Sequence, residues 1–276
     1  MIEVRRYADA RAFLERAESW LLDAEIERAV ALQSSRNALA NEAYYEKPVY
    51  WATVEDDGRI IGCAFRTPPF NVGVTALPAA AIAPLTASLR QSYAQLPGIS
   101  GTEPTASALA AAWTGRPSGS WRVQSRQWLW SLTSVEAPDG APAGSLRPAA
   151  AADTALANDW GAAFARDSGV AALDGAFCTR LIGAGLLYLW DDGSPRCMVG
   201  VLRHTAKSAA LGMVYTPPEL RRKRYATSAI AAWSRQVLDR GQRCFLLPDA
   251  ANTASTVICR NLGHELVLEG VDIEFR

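Results

Sequence analysis

Two stretches of this chain read alike. Tyr50–Val54 is an apolar strand candidate that runs into Asp56-Asp57-Gly58, and Ile60–Phe65 returns from it. Leu186–Trp190 runs into Asp191-Asp192-Gly193, and Met198–Leu202 returns. Asp and Gly tolerate the positive φ that a tight hairpin needs, so each set reads as strand, turn, strand. The segments YWATVEDDG and LYLWDDG are the strongest local sign that one α/β unit has been duplicated.

The signals around each hairpin come in the same order. In the first half, Phe13, Ala17, Trp20, Leu21 and Ala24 recur at helical spacing before the hairpin. After it come a strand at Phe70–Thr75, a helix at Ala79–Gln95, a brief strand at Ile99–Gly101, a helix at Thr105–Trp113 and a strand at Gln127–Val135. In the second half, Ala151–Arg166 is a helix with Asp153 as its expected N-cap, and Phe177–Ile182 continues helical. After the second hairpin come a strand at Ala209–Tyr215, a helix at Ala226–Arg240 stopped by Gly241, a strand at Cys244–Leu247, a helix at Ala254–Asn261 and a final strand region at Glu265–Phe275. The expected class is α/β (α+β), repeated in tandem.

Three prolines and two glycines punctuate EAPDGAPAGSLRP at Glu136–Pro148 without apolar periodicity, which reads as a linker. The expected domains are 1–137 and 146–276, joined by 138–145. A length of 276 residues fits two domains. Twenty-eight Lys plus Arg balance twenty-eight Asp plus Glu, so nothing favours a general nucleic-acid binder. The most apolar helical region, Ala79–Leu89, is interrupted by Pro84, and no membrane-spanning helix is expected. The charged start, MIEVRRYADARAFLERAESW, is not expected to be a signal peptide. Five cysteines without a CxxC spacing fit a reduced, cytoplasmic setting, and two histidines are too few for a His-rich metal site.

The informative segment is Leu211–Ile230, LGMVYTPPELRRKRYATSAI. A strand ends in Thr-Pro-Pro-Glu, passes through Arg221, Arg222, Lys223 and Arg224, and enters an amphipathic helix. The first amides of a helix have no partner within it and carry the positive end of its dipole. Four cations at that point suit a phosphate-bearing ligand, although a solvated basic turn has the same composition.

The segment resembles the cofactor loop of the GNAT acyltransferase superfamily. That signature is Arg or Gln, two residues, Gly, one residue, then Gly or Ala; here Arg221 matches its first position and Ala226 its last. Downstream, Asp249, Asn252, Ser255 and Leu262-Gly263 match the family's strand-end Asp, Asn-x-x-Ser helix start and Leu-Gly turn. The motifs cover about Arg147–Arg276, and the first half resembles a second copy by element order only, with no basic or glycine loop after Phe70–Thr75. The resemblance implies a mixed, mostly antiparallel sheet flanked by helices, with acetyl-CoA as co-substrate, no metal, and a small-molecule or peptide amine as acceptor. It also implies a site. Backbone amides near Val214, Tyr215 and Thr216 would hold the thioester carbonyl, and Arg221, Arg222, Lys223, Arg224, Tyr225, Ala226 and Thr227 the diphosphate. Asn252 and Ser255 would lie along the pantetheine arm.

Two positions depart from the pattern. Arg224 replaces the signature glycine, and Arg222 a position that is often glycine; a positive φ at either would cost about 1 kcal/mol. Cys259 stands where the family has the Tyr taken to protonate the leaving thiolate, which makes it the candidate general acid or else a packing residue. Neither Glu219 nor Asp249 is distinguished as a general base. His264 reads as a surface or core residue, Gly183-Ala184-Gly185 as a turn, and the nine tryptophans as packing. An acyl-CoA-fold binding module without turnover is the alternative to the enzyme.

Overall fold

A computed structural model describes residues 1–41, 45–116, 119–136, 138, 140–169 and 173–276. Ala137 and Asp139, at the end of the expected first domain and within the expected linker, lie outside the described residues. The first ten elements are β1 (Ile2–Tyr7), α1 (Ala10–Asp23), α2 (Ala29–Ala40), β2 (Tyr50–Asp56), β3 (Arg59–Arg66), β4 (Val72–Val74), α3 (Ile82–Ser92), β5 (Gly98–Thr102), α4 (Glu103–Thr114) and β6 (Trp121–Leu132). The next ten are β7 (Ser145–Pro148), α5 (Thr154–Ser168), α6 (Phe177–Gly183), β8 (Leu187–Asp191), β9 (Pro195–His204), β10 (Ser208–Tyr215), α7 (Tyr225–Asp239), β11 (Arg243–Leu246), α8 (Thr253–Asn261) and β12 (Glu265–Phe275). The second set repeats the first in type and order.

The chain packs as two compact units. Unit 1 comprises Met1–Leu129, Asp249–Ala251 and Val267–Arg276; unit 2 comprises Trp130–Pro248 and Asn252–Leu266. These differ from the expected domains in their last strands. Most of β12 belongs with unit 1, where Gly270–Glu274 pairs antiparallel with Gly98–Thr102 of β5. The end of β6 belongs with unit 2, where Trp130–Leu132 pairs antiparallel with Cys244–Leu246 of β11. Local pattern specifies a strand but not its partner, so element order alone does not reveal this exchange.

Unit 1 has the strand order β1-β2-β3-β4-β5-β12-β6, and unit 2 the order β6-β11-β10-β9-β8-β7. Each contains one parallel pair, β4 with β5 and β10 with β11; the other recorded pairs are antiparallel. The first hairpin turns as expected, with Asp57 at φ 45° and Gly58 at φ 74°. Gly241 follows α7 at φ 72°, a left-handed stop.

Helix α1 buries Phe13, Leu14, Ala17 and Leu21 against Trp51, Cys63 and Phe65 of β2 and β3. Asp9 caps it by accepting from the Ala12 amide at 2.8 Å. Opposite, Leu85, Leu89 and Leu109 of α3 and α4 pack with Tyr50, Val72, Ile99, Val271 and Ile273. In unit 2, Ala157 and Cys178 of α5 and α6 pack with Leu187, Leu189, Met198, Met213 and Tyr215.

Strand β1 and helix α2 have no counterpart in the sequence reading. Ile2 and Val4 give only two apolar positions before Arg5-Arg6, and β1 is held by pairing along β2 from Ile2↔Asp56 to Tyr7↔Trp51. Asp153 precedes α5 as expected but does not cap it. Its carboxylate accepts from the Ala150 amide at 2.7 Å and from Arg147 at 2.8 and 3.0 Å, so it braces a preceding 3-10 turn. No helix among the described residues is long and apolar enough to cross a membrane.

Candidate functional site

In unit 2 the parallel pair comes apart. Strands β10 and β11 are in register from Ser208↔Arg243 to Leu211↔Leu246, and there β11 ends. Strand β10 continues through Gly212, Met213, Val214 and Tyr215, paired among the described residues only with β9 on its other side. Two register shifts bracket the parting, between Ala210 and Leu211 and between Leu211 and Met213. A bulge of this kind bends and twists the strand that carries it. Alternate amides of a strand point to opposite edges, so the open edge of Gly212–Tyr215 presents main-chain donors with no strand opposite. Gly212 is required here, because a β-carbon would run into the Leu202 side chain. Tyr215 is buried against Trp160, with ring centroids 6.0 Å apart.

Beyond Tyr215 the chain turns through Thr216–Arg224 into α7. Arg221 is committed to the scaffold: its Nε donates to the Thr216 carbonyl at 3.0 Å, its guanidinium pairs with Asp167, and it lies 5.9 Å from the Tyr215 ring. Arg222 and Arg224 both adopt the left-handed region, at φ 63° and 64°, and Arg224 is the N-cap residue of α7. The turn geometry for which the signature uses glycine is therefore built here with two arginines. No side chain caps α7, and no acidic residue lies in its first turn. The first main-chain bond in that turn is from the Ser228 amide to the Arg224 carbonyl at 3.0 Å, which leaves the amides of Tyr225, Ala226 and Thr227 without helical partners. The Arg224 guanidinium rests against Gly140, where a β-carbon would collide with it. Tyr225 donates to Asp192 at 3.3 Å, and Asp192 pairs with Arg196 at 2.6 Å. Lys223 is exposed.

Left-handed backbone favours glycine over any residue with a β-carbon, by up to about 1 kcal/mol. Arg222→Gly is expected to stabilise the ligand-free protein by that amount in urea unfolding. Arg224→Gly is expected to gain less, because it also removes the contact with Gly140. An Arg222→Gly protein less stable than the parent would contradict the strain assigned to this loop.

The downstream motif residues divide by role. Asn252 caps α8, its Oδ1 accepting from the Ser255 amide at 3.1 Å, so this pair is first a helix start. Both belong to unit 2, whereas Asp249 is grouped with unit 1 and accepts from the Ala251 amide at 2.8 Å. Glu219 is exposed in a single 3-10 turn.

Cys259 is 1% exposed, and burial beside Cys244 pushes its thiol up to about 12. It sits as a core residue and not as a proton donor open to solvent. His264 is also in the core: its Nδ1 lies 3.2 Å from the Cys259 carbonyl, and its buried Nε2 has no hydrogen-bond partner among the described residues. No group of His, Cys, Asp and Glu side chains among the described residues is arranged to hold a metal ion.

The corresponding place in unit 1 is closed. Strand β4 is only Val72–Val74, paired with β5 through its last residue, Val74↔Gly101. Thr75 then donates its amide to the Cys63 carbonyl at 3.1 Å and accepts from the Cys63 amide at 2.9 Å. The Leu77 amide donates to Thr105 Oγ1 of α4 at 3.0 Å, and the link to α3 carries no cation. Unit 1 has the elements without the fork.

A mixed sheet, a bulged strand leaving its parallel neighbour, and a basic loop into a helix, set in a duplicated chain, define a tandem GNAT fold. Solved structures of this fold cover nearly the whole chain. A GNAT-family acetyltransferase from Colwellia psychrerythraea is 10% identical over 99% of this chain and 100% of that one, with TM-score 0.61. A GCN5-related N-acetyltransferase from Sphaerobacter thermophilus is 14% identical over 99% and 95%, with TM-score 0.59. A tandem GNAT protein from the clavulanic acid biosynthesis pathway is 14% identical over 99% and 97%, with TM-score 0.50. At these identities the likeness is one of fold. No curated protein matches the chain. Residues 192–271, which span the fork and the loop, match the family described as FR47-like protein. The chain therefore has the tandem GNAT fold, and within it the segment 192–271 is similar to the FR47-like family.

Proposed function

We propose that unit 2 is an acyl-CoA-dependent N-acyltransferase that passes an acetyl group from acetyl-CoA to an amine. The observation that carries this reading is the fork: β10 runs on past its last pair with β11, and its open edge leads to the unpartnered first turn of α7. A thioester arm laid along Gly212–Tyr215 meets main-chain donors as a neighbouring strand would. Its diphosphate then reaches the amides of Tyr225–Thr227, among the charges of Arg222 and Lys223. Those amides suit an anion because they need no rearrangement to meet it.

In this reading the amine attacks the thioester carbon directly. The amides at the open edge hold the carbonyl oxygen as charge builds on it, an effect worth several kcal/mol in a preorganised site. Holding both reactants at the fork supplies much of the rest. Cys259 is sealed in the core, so water takes the proton that the attacking amine gives up and supplies the one that the leaving thiolate gains. Asn252 offers its Nδ2 to the ligand while its Oδ1 remains the α8 cap.

The two left-handed arginines and the buried Cys259 favour a second reading, a protein that binds acyl-CoA and does not turn it over. Titration with acetyl-CoA, followed by thermal unfolding, tests the part common to both. A saturable rise in Tm is expected, since a ligand that binds only the folded state stabilises it. No rise at millimolar acetyl-CoA overturns both readings. Release of free thiol in the presence of amines separates the enzyme from the binding protein.

A further inference from the structure

We propose that Arg203 seats a carboxylate on the acceptor, so that the amine acetylated by this protein carries an acid group close by; this rests on the transferase reading above. In unit 2 the other partly buried arginines are matched, Arg147 with Asp153 and Asp191 and Arg196 with Asp192. Arg203 is the contrast. It is half-buried and makes no hydrogen bond or ion pair among the described residues. Burial alone pulls its pKa below the usual arginine value, with no carboxylate to offset it.

Its place in the sheet says what surrounds it. Arg203 stands opposite Ala210, Ala210 opposite Phe245, and Phe245 opposite Ser131. Residues paired across strands point to the same face, so the guanidinium shares a face with three side chains that are 1%, 1% and 5% exposed. An arginine cannot shed its proton to escape such surroundings, and an uncompensated charge there is costly. It is kept at a cost that an incoming anion would relieve.

The row also adjoins the fork. Leu211↔Leu246 is the last pair before the strands part, one position beyond Ala210↔Phe245. At about 4.8 Å between strands and about 3.3 Å per residue, the Arg203 backbone lies about 8 Å from Gly212. That spacing suits an amine and a carboxylate on one small molecule, as in an amino acid. A single planar guanidinium matches a singly charged carboxylate in two parallel hydrogen bonds, whereas a phosphate dianion calls for further cations.

The experiment offers the full-length protein, with acetyl-CoA, the twenty common L-amino acids and their carboxamides, and reads thiol release. At least one acid is expected to be acetylated more than about tenfold faster than its carboxamide. Arg203→Met should abolish that preference and Arg203→Lys keep part of it. Arg203→Met should also unfold at the same or a higher temperature than the parent, because it removes an unmatched charge. Equal treatment of acids and carboxamides, a preference that survives in Arg203→Met, or no turnover of any acid overturns the proposal. So does a clear fall in Tm, which would mean that the protein itself satisfies the guanidinium. Inorganic phosphate that raises Tm in the parent and not in Arg203→Met, with no response to the acids, would replace the carboxylate by a phosphate. Acetyl-CoA binding measured in parallel reports separately on the transferase reading.

Discussion

Ala226→Glu is expected to weaken acetyl-CoA binding by about a hundredfold or more while leaving the protein at least as stable as before. Ala226 is the second residue of α7 and only partly buried, so a longer side chain has room to turn outward. The helix has no acidic residue in its first turn, and a carboxylate there gains about 0.3–1 kcal/mol from the helix dipole. The same carboxylate competes for the amides that a diphosphate would use. At about 5 Å and an effective dielectric near 20, one pair of like charges repels by about 3 kcal/mol, equivalent to about a hundredfold in affinity. Calorimetric titration with acetyl-CoA and a thermal melt of the free protein read the two effects separately. Undiminished affinity would place the diphosphate elsewhere and remove the basis for the proposed site.

The second large effect is on stability in acid. Burial holds the His264 imidazole down at about 4, and its contact with the Cys259 carbonyl offsets this only in part. In the unfolded chain the same ring titrates near 6.5. Between these values the unfolded chain binds a proton that the folded protein refuses, so folding weakens as pH falls. The contribution is intact above about pH 6.5, and about 3 kcal/mol is lost by about pH 4. His264→Phe puts an aromatic ring in the same place without a titrating group. Its Tm should fall less than the parent's between pH 7 and 4.5. If the two proteins lose Tm in parallel, the acid sensitivity lies in other groups.

The buried rings and thiols explain why some motif positions were legible and others were not. The basic loop could be read because its pattern is local: two prolines, four cations and an amphipathic helix follow one another without a break in composition from Pro217 to Asp239. The Asn252–Ser255 motif was legible as a pattern, yet its first task is to cap α8. Cys259 and His264 each had two readings, and burial at 1% and 5% places both in the core. No signal near Arg203 marks it, since its lack of a partner depends on what three other strands bring beside it. Asp167 and Asp192, which hold Arg221 and Tyr225, come from distant segments and were legible only as parts of a helix and a turn.

The sequence by itself determined the duplicated order of elements, the two Asp-Asp-Gly hairpins and the basic entry to α7, because each rests on interactions between residues a few positions apart. Tertiary structure decided the exchange of β6 and β12 between the units. It also decided that the parallel strands part in unit 2 and stay joined in unit 1, and that Arg222 and Arg224 take left-handed backbone. These outcomes depend on which strands pair and where pairing stops. That choice balances hydrogen bonds and burial over the whole sheet, and no single segment contains it.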